Sequence, residues 1–223
     1  MSMNFSEQEK IAIPNAVYTP FRNLLAETNQ DVLAALKLYH WNAQIASAFL
    51  VPLHIFEICV RNAAANAVES YYNATWPWAA AFEISLPDPH YPNFSPKREL
   101  ISVRDRHVAT MATGKVIADV KFAFWVSMYT RRHEGRLWTR YIRREFPNAP
   151  TALSISEIRQ KIYAATDQIR VLRNRIAHHE PIFPRDLAGD YDVIKEVVGF
   201  KCQDTLAWMM RTEEISYMLA TKP

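Results

Sequence analysis

The stretch SISEIRQKIYAATDQIRVLRNRIAHHEPIF, residues 154–183, carries the reading of this chain. Ser154 followed three residues later by Glu157 is the capping-box pattern, in which each side chain satisfies a backbone N–H of the other at a helix start. From there Ile158, Ile162, Ala165, Ile169, Leu172 and Ile176 recur at alternating spacings of four and three, the apolar stripe of an amphipathic helix. The pattern predicts a helix from Ser154 to about His178, ended by Pro181 and Pro184.

The stripe fixes where the other side chains point. At about 100° per residue, Asn174 and His178 share a face roughly opposite the stripe, together with Asp167, Arg170 and Val171. Val171 is an apolar residue among polar ones, which marks this outward face as a place where two copies of the chain could meet. Arg173 falls about 60° from the stripe, on the core edge, and His179 lies about as far away on the other side. His179, beside Glu180 and Pro181, is expected to cap the helix and set the exit turn.

Arg173, Asn174 and His178 bring guanidinium, amide and imidazole together within six residues. An imidazole moves protons near neutral pH, and a guanidinium can hold a phosphate by two parallel hydrogen bonds. The grouping suggests phosphodiester chemistry without a metal. Neighbouring histidines on a helix diverge by about 100°, and no carboxylate or cysteine stands at ligand spacing, so neither a metal site nor a cofactor is expected. A half-buried Arg173 needs an anion. Glu57 is the candidate, an isolated acid within Leu53, Ile55, Phe56, Ile58, Cys59 and Val60. Arg61, four residues on, shares its helical face. Two arrangements stay open: a structural Glu57–Arg61 pair, or a polar cluster in which Glu57 orients Arg173.

Outward from this helix, composition bounds the rest. The chain has 223 residues, 49% of them apolar and only 4 glycines, with long stretches of Ala, Leu, Ile, Glu, Arg and Lys. One principal all-α domain, a helical bundle, follows. A formal net charge of +3 is too mild to attract nucleic acid by itself, so clustering must supply any such attraction. Arg131, Arg132, Arg136, Arg140, Arg143 and Arg144 form such a cluster, interleaved with Trp138 and Tyr141. Arginines with aromatics suit phosphate contact and base stacking; a solvated helical face is the plainer reading. The 2 cysteines, Cys59 and Cys202, are too few for a disulfide framework, which points to a reducing cytoplasm. Met1–Lys10 lacks the form of a secretory signal, and Pro52, His54 and Glu57 interrupt the apolar run Ala46–Val60, so no membrane span is expected.

Residues 1–30 read as an N-terminal extension with one short helix, Pro14–Glu27, whose apolar face is Val17, Phe21, Leu24 and Leu25, and which could lie apart from the bundle. Residues 31–223 read as the principal domain. Asp31 caps a helix to about Ala48, and Pro52 starts or kinks a second to about Tyr72. Trp76–Pro96, rich in proline and aromatic residues, is expected to be an irregular insertion or lid. A helix from Ser95 to about Ala112, a break or turn at Gly114, a helix Lys115–Tyr129 and a shorter one carrying the arginines to Phe146 follow. Helices over about Arg185–Val198 and Gln203–Leu219 close the chain.

Arg173, four intervening residues and His178, with Asn174 directly after the arginine, resemble the signature of the HEPN superfamily. More narrowly, Leu172 to Ile182 is similar to the motif of Abi-like abortive-infection proteins. Tyr39–Asn42 and Glu57–Ala63 resemble that family's two N-terminal helices, and Phe122–Trp125 with Leu137 and Trp138 its middle. The resemblance spans about Asp31 to Pro184. It implies a HEPN-like four-helix core and a metal-independent endoribonuclease acting as a homodimer, with both motifs lining one cleft. It further implies phage defence, with a neutralising antitoxin-like partner conceivable.

In that reading Arg173 holds the phosphate, Asn174 positions it, and His178 transfers a proton. Glu57, Arg61 and His179 support them, while Arg170, Arg175, Arg132, Arg136, Arg140, Arg143 and Arg144 contact RNA. The rival is a non-catalytic helical module of the same fold that binds RNA or protein. A third reading, a structural homodimer with a small-molecule pocket under Trp76, Trp78, Tyr91 and Phe94, rests on those rings alone.

Overall fold

Residues 5–223 are described by the computed structural model, and every regular element among them is helical. Ser6 and Glu9 form a capping box that starts α1 (Glu7–Ala16), and Val17, outside helical geometry at φ −120°, separates it from α2 (Tyr18–Glu27). The single helix expected over Pro14–Glu27 is thus two, because the cap at Ser6 starts a helix upstream that carries through Pro14. Both pack on the helix that follows, and Leu24 is buried in the common core, so this segment does not lie apart. Met1–Asn4 and the side chain of Phe21 lie outside the described residues.

Asp31 caps α3 (Val32–Tyr72) by accepting from the N–H groups of Leu33 and Ala34. α3 runs 41 residues without a break, with Pro52 inside it. This corrects the expected division at Pro52. An internal proline costs a helix about 3 kcal/mol. Here Phe49, Leu53 and Phe56 on both sides of it are buried against one core, and each fully buried large apolar side chain returns about 1.5–3 kcal/mol. By length and composition alone α3 is long and apolar enough to cross a membrane, a test that the core helix of a bundle also passes. In this fold it is the spine, with Ala35, Trp41, Ile45, Val60, Ala64 and Val68 among its buried residues.

The segment expected to be an irregular lid holds a 3₁₀ turn at Trp76–Trp78 and a short α4 (Ala80–Ser85). Its rings divide: Trp76 and Phe82 are fully buried, packed edge to face at 5.0 Å, whereas Tyr91 and Phe94 are exposed. Ser95 caps α5 (Pro96–Arg106), which ends short of Ala112 and leaves Val108 and Met111 exposed. The turn expected at Gly114 comes just before it, over residues 107–112, and Gly114 itself lies in the first turn of α6 (Thr113–Asp119). A second break, at Val120 and Lys121, divides the expected helix Lys115–Tyr129 before α7 (Phe122–Met128).

A 3₁₀ turn at Arg131–His133 and a π-helical turn at Glu134–Trp138 lead into α8 (Thr139–Glu145). Trp138 is buried there, stacked on Tyr129 at 4.5 Å, with its indole N–H donating to the carbonyl of Met128. The expected capping box of Ser154 and Glu157 starts α9 (Ile155–Ala177), and its stripe residues from Ile158 to Ile176 are all buried. α10 (Leu187–Lys201) follows. The last expected helix is two, α11 (Gln203–Thr212) and α12 (Ile215–Ala220), parted at Glu213 and Glu214.

α9 packs against α3, α7, α8 and α10, so it sits at the centre of the bundle while α3 touches nearly every layer around it. Distant hydrogen bonds lock this arrangement. Tyr129 donates to the carbonyl of Val60 at 2.7 Å, Trp41 to that of Met218 at 2.8 Å, and buried Arg159 to Glu134 at 2.6 Å and the carbonyl of Tyr129 at 2.8 Å.

Candidate active site

The C-terminal end of α9 is built by its last turn and the exit from it. His178 is the C-cap, and His179 takes the left-handed conformation at φ 56°. The N–H of His179 donates to the carbonyl of Ile176, and that of Glu180 to the carbonyl of Arg175. These two bonds are the Schellman ending of a helix, a position that glycine usually fills. His179 thus sets the exit turn as expected. Beyond it, the Asn42 carboxamide oxygen of α3 accepts from the N–H groups of Ile182 (2.8 Å) and Phe183 (3.1 Å), which docks the exit onto the spine. The sequence reading missed this role, since nothing local pairs Asn42 with residues 140 positions away.

Arg173 and Glu57 meet across α9 and α3: Nε donates to Oε1 at 3.1 Å. Of the two open arrangements, this is the one formed. Arg61 does not bond Glu57; its Nε donates at 3.4 Å to the side chain of Asn62. Arg173 is more exposed than a core-edge side chain should be, at 45% of its side-chain surface against 27% for Glu57. An ion pair this wet is worth at most about 1 kcal/mol, so its effect is to orient rather than to stabilise. Because Glu57 takes only Nε, Nη1 and Nη2 of Arg173 have no partner among the described residues. That free edge is the fork with which arginine grips a phosphate or carboxylate.

The Glu57–Arg173 pair separates two recesses. The larger, about 630 Å³, lies between α3 and the end of α9, with Leu50, Leu53 and Ile176 in its apolar wall. Its charged and imidazole groups are Arg173, Glu57, Glu180, His54 and His179. The smaller, about 300 Å³, is lined by Arg61, Lys121, Phe122 and Trp125 as well as by the pair itself.

His54 belongs to this site, although in sequence it figures only as a polar interruption of an apolar run. The available signal is its spacing, three residues before Glu57 and so on the same helical face. His178 and Asn174, by contrast, line neither recess. His178 is exposed and Asn174 half-buried, on the face where Val171 is also exposed, as their angular positions require. The six-residue grouping is therefore split by the helix, with Arg173 and His179 turned to the larger recess and Asn174 and His178 turned away from it.

Much of the basic cluster is engaged in holding the fold. Arg143 donates to the carbonyls of Ala149, Pro150, Thr151 and Leu153. Arg144 pairs with Glu145 and Ser70 and lies over the Tyr141 ring, and Arg132 donates to the carbonyl of Ser85. Trp138 is core and unavailable for stacking. Arg140 lies over the Tyr71 ring at 5.7 Å, and Arg136, half-buried, has no hydrogen bond among the described residues. On α9, Arg170 pairs with Asp167 at 2.7 Å and Arg175 reaches Glu180 at 3.6 Å.

Among the described residues, no three His, Cys, Asp or Glu side chains converge as a metal-binding group. Comparison with family models, with curated proteins and with solved structures finds no match for the chain. The assignment of function therefore rests on the geometry at the end of α9 and on the resemblance of its motif.

Proposed function

We propose that the chain is a metal-independent endoribonuclease with a HEPN-like core, acting as a homodimer. One observation carries the reading: Glu57 anchors Arg173 through Nε alone and leaves both terminal nitrogens free, five residues before an exposed imidazole at His178 that faces the other side of α9. In the reaction a base removes the proton of a ribose 2′-hydroxyl, the 2′-oxygen bonds to phosphorus, and the bond to the 5′-oxygen breaks as an acid protonates it. The products carry a 2′,3′-cyclic phosphate and a 5′-hydroxyl. Arg173 stabilises the charge that builds on the phosphorane oxygens. His178 serves one proton transfer, and a second copy of the chain, meeting the first across the face of Val171, Asn174 and His178, supplies the other imidazole. The motif's likeness to Abi-like proteins supports a role in halting RNA metabolism during infection.

Incubation of the purified protein with total RNA in excess chelator tests this. Fragments ending in cyclic phosphate are expected. His178→Ala should slow their release by about 10²–10⁴-fold, the loss typical of a missing general acid or base. Arg173→Lys, which keeps the charge and loses the fork, should fall nearly as far. Val171→Glu should shift the mass in light scattering from dimer to monomer and lower cleavage with it. RNA left intact by the wild type, but still bound, would instead identify a binding module of the same fold.

A further inference from the structure

The smaller recess beside the Glu57–Arg173 pair has no part in the bond-breaking step, yet its charges are not balanced from within. Five charged side chains line it: Arg61, Lys121 and Arg173 against Glu57 and Asp119. Two of these are occupied elsewhere. Asp119 meets His107 at 2.8 Å, and Lys121 reaches Glu99 at 3.3 Å.

Arg61 is different. It is half-buried on α3, and its one hydrogen bond among the described residues is the 3.4 Å contact to Asn62. Glu57, one turn before it on the same face, is turned to Arg173 instead. A half-buried guanidinium with its terminal nitrogens unpartnered, at the wall of a recess it shares with the more exposed guanidinium of Arg173, is arranged for an anion from outside the chain. The recess, about 300 Å³, has room for a phosphate group with its ester oxygens. Arg61, four residues after Glu57, stands about 6 Å along the axis of α3 from its level, a spacing on the scale of one step along a nucleic-acid strand.

We infer that this recess is a second phosphate subsite, in which Arg61 grips the phosphate adjacent along the strand to the one held by Arg173. The inference rests on the nuclease reading for the identity of the first phosphate, and it makes the substrate an RNA segment of at least two consecutive phosphates. The larger, apolar-walled recess on the other side of Arg173 then receives the nucleoside that follows in the opposite direction. The strand crosses the Glu57–Arg173 pair from one recess to the other.

The test uses 2′-deoxy dinucleotides, which cannot be cut by 2′-hydroxyl attack, with no terminal phosphate, with a 5′-phosphate or with a 3′-phosphate. Affinities are measured by calorimetry at one fixed salt concentration. One of the two phosphorylated probes is expected to bind the full-length wild type about tenfold more tightly than the bare dinucleotide. In Arg61→Gln that ratio should drop to within twofold of unity, and in Arg61→Lys it should recover only in part. Arg211→Gln, which removes an exposed charge on α11, controls for overall charge and should keep the wild-type ratio. Circular dichroism melting confirms that each variant is folded.

No gain from either phosphate in the wild type, or a gain that survives in Arg61→Gln, overturns the subsite. Parallel assays with the ribose versions separate the two proposals. Cleavage without a terminal-phosphate gain sinks the subsite and leaves the nuclease standing; a gain lost in Arg61→Gln without cleavage sinks the nuclease and leaves an RNA-binding subsite.

Discussion

His179 is held at φ 56°, a conformation that costs a residue with a β-carbon about 1–2 kcal/mol. Glycine would avoid that cost, and the chain instead places there an imidazole that lines the larger recess. His179→Gly should therefore raise stability by about 0.5–1 kcal/mol, read as a higher melting temperature. An unchanged or lower melting temperature would mean that contacts of the imidazole outweigh the strain. Arg173 shows the limit of reading a residue from its angle alone. About 60° from the apolar stripe it was legible as a core-edge side chain in need of an acid, and Glu57 is that acid. Its exposed outer edge was not legible, since exposure depends on how closely α3 approaches.

Among helices, α9 followed its local pattern closely, from the Ser154–Glu157 box to the cap at His178, because capping and stripe are encoded within a few residues of each other. α3 did not, because the local signal of Pro52 competes with burial of apolar residues on both sides of it. What docks the exit from α9 onto α3 is Asn42, whose one oxygen accepts from two backbone N–H groups beyond α9. Asn42→Ala leaves both N–H groups without their partner and should cost about 1–3 kcal/mol, with faster hydrogen exchange at Ile182 and Phe183. Loss of stability without faster exchange at those two amides would place the role of Asn42 elsewhere.

Taken together, the helices bury one histidine that plays no part in the site. His133 is 1% exposed, its Nε2 has no partner among the described residues, and burial, then the charges of Arg136 and Arg132, push its pKa down to about 4. The folded chain keeps this imidazole neutral, whereas the unfolded chain takes up a proton near the ordinary value of 6.5. Its contribution is thus fully present above pH 6.5 and is lost as pH falls from 6.5 toward 4, by about 3 kcal/mol in all. Urea unfolding at pH 7.5 and 4.5 should show a larger loss for the wild type than for His133→Gln. Equal losses would assign the acid sensitivity to carboxylates alone.

The all-α class, the course of α9 and the opposed directions of Arg173 and His178 were legible without coordinates, because helical periodicity and capping act over one or two turns of chain. The closure of Arg173 on Glu57 was legible as one of two open pairings. Packing alone decided the choice between them, the unbroken path of α3 through Pro52, the engagement of Arg143 and Arg144 in the fold, and the convergence of His54, His179 and Arg61 around one ion pair. Those outcomes depend on which faces of α3 and α9 meet, and that is set by burial summed over many distant residues rather than by any short stretch.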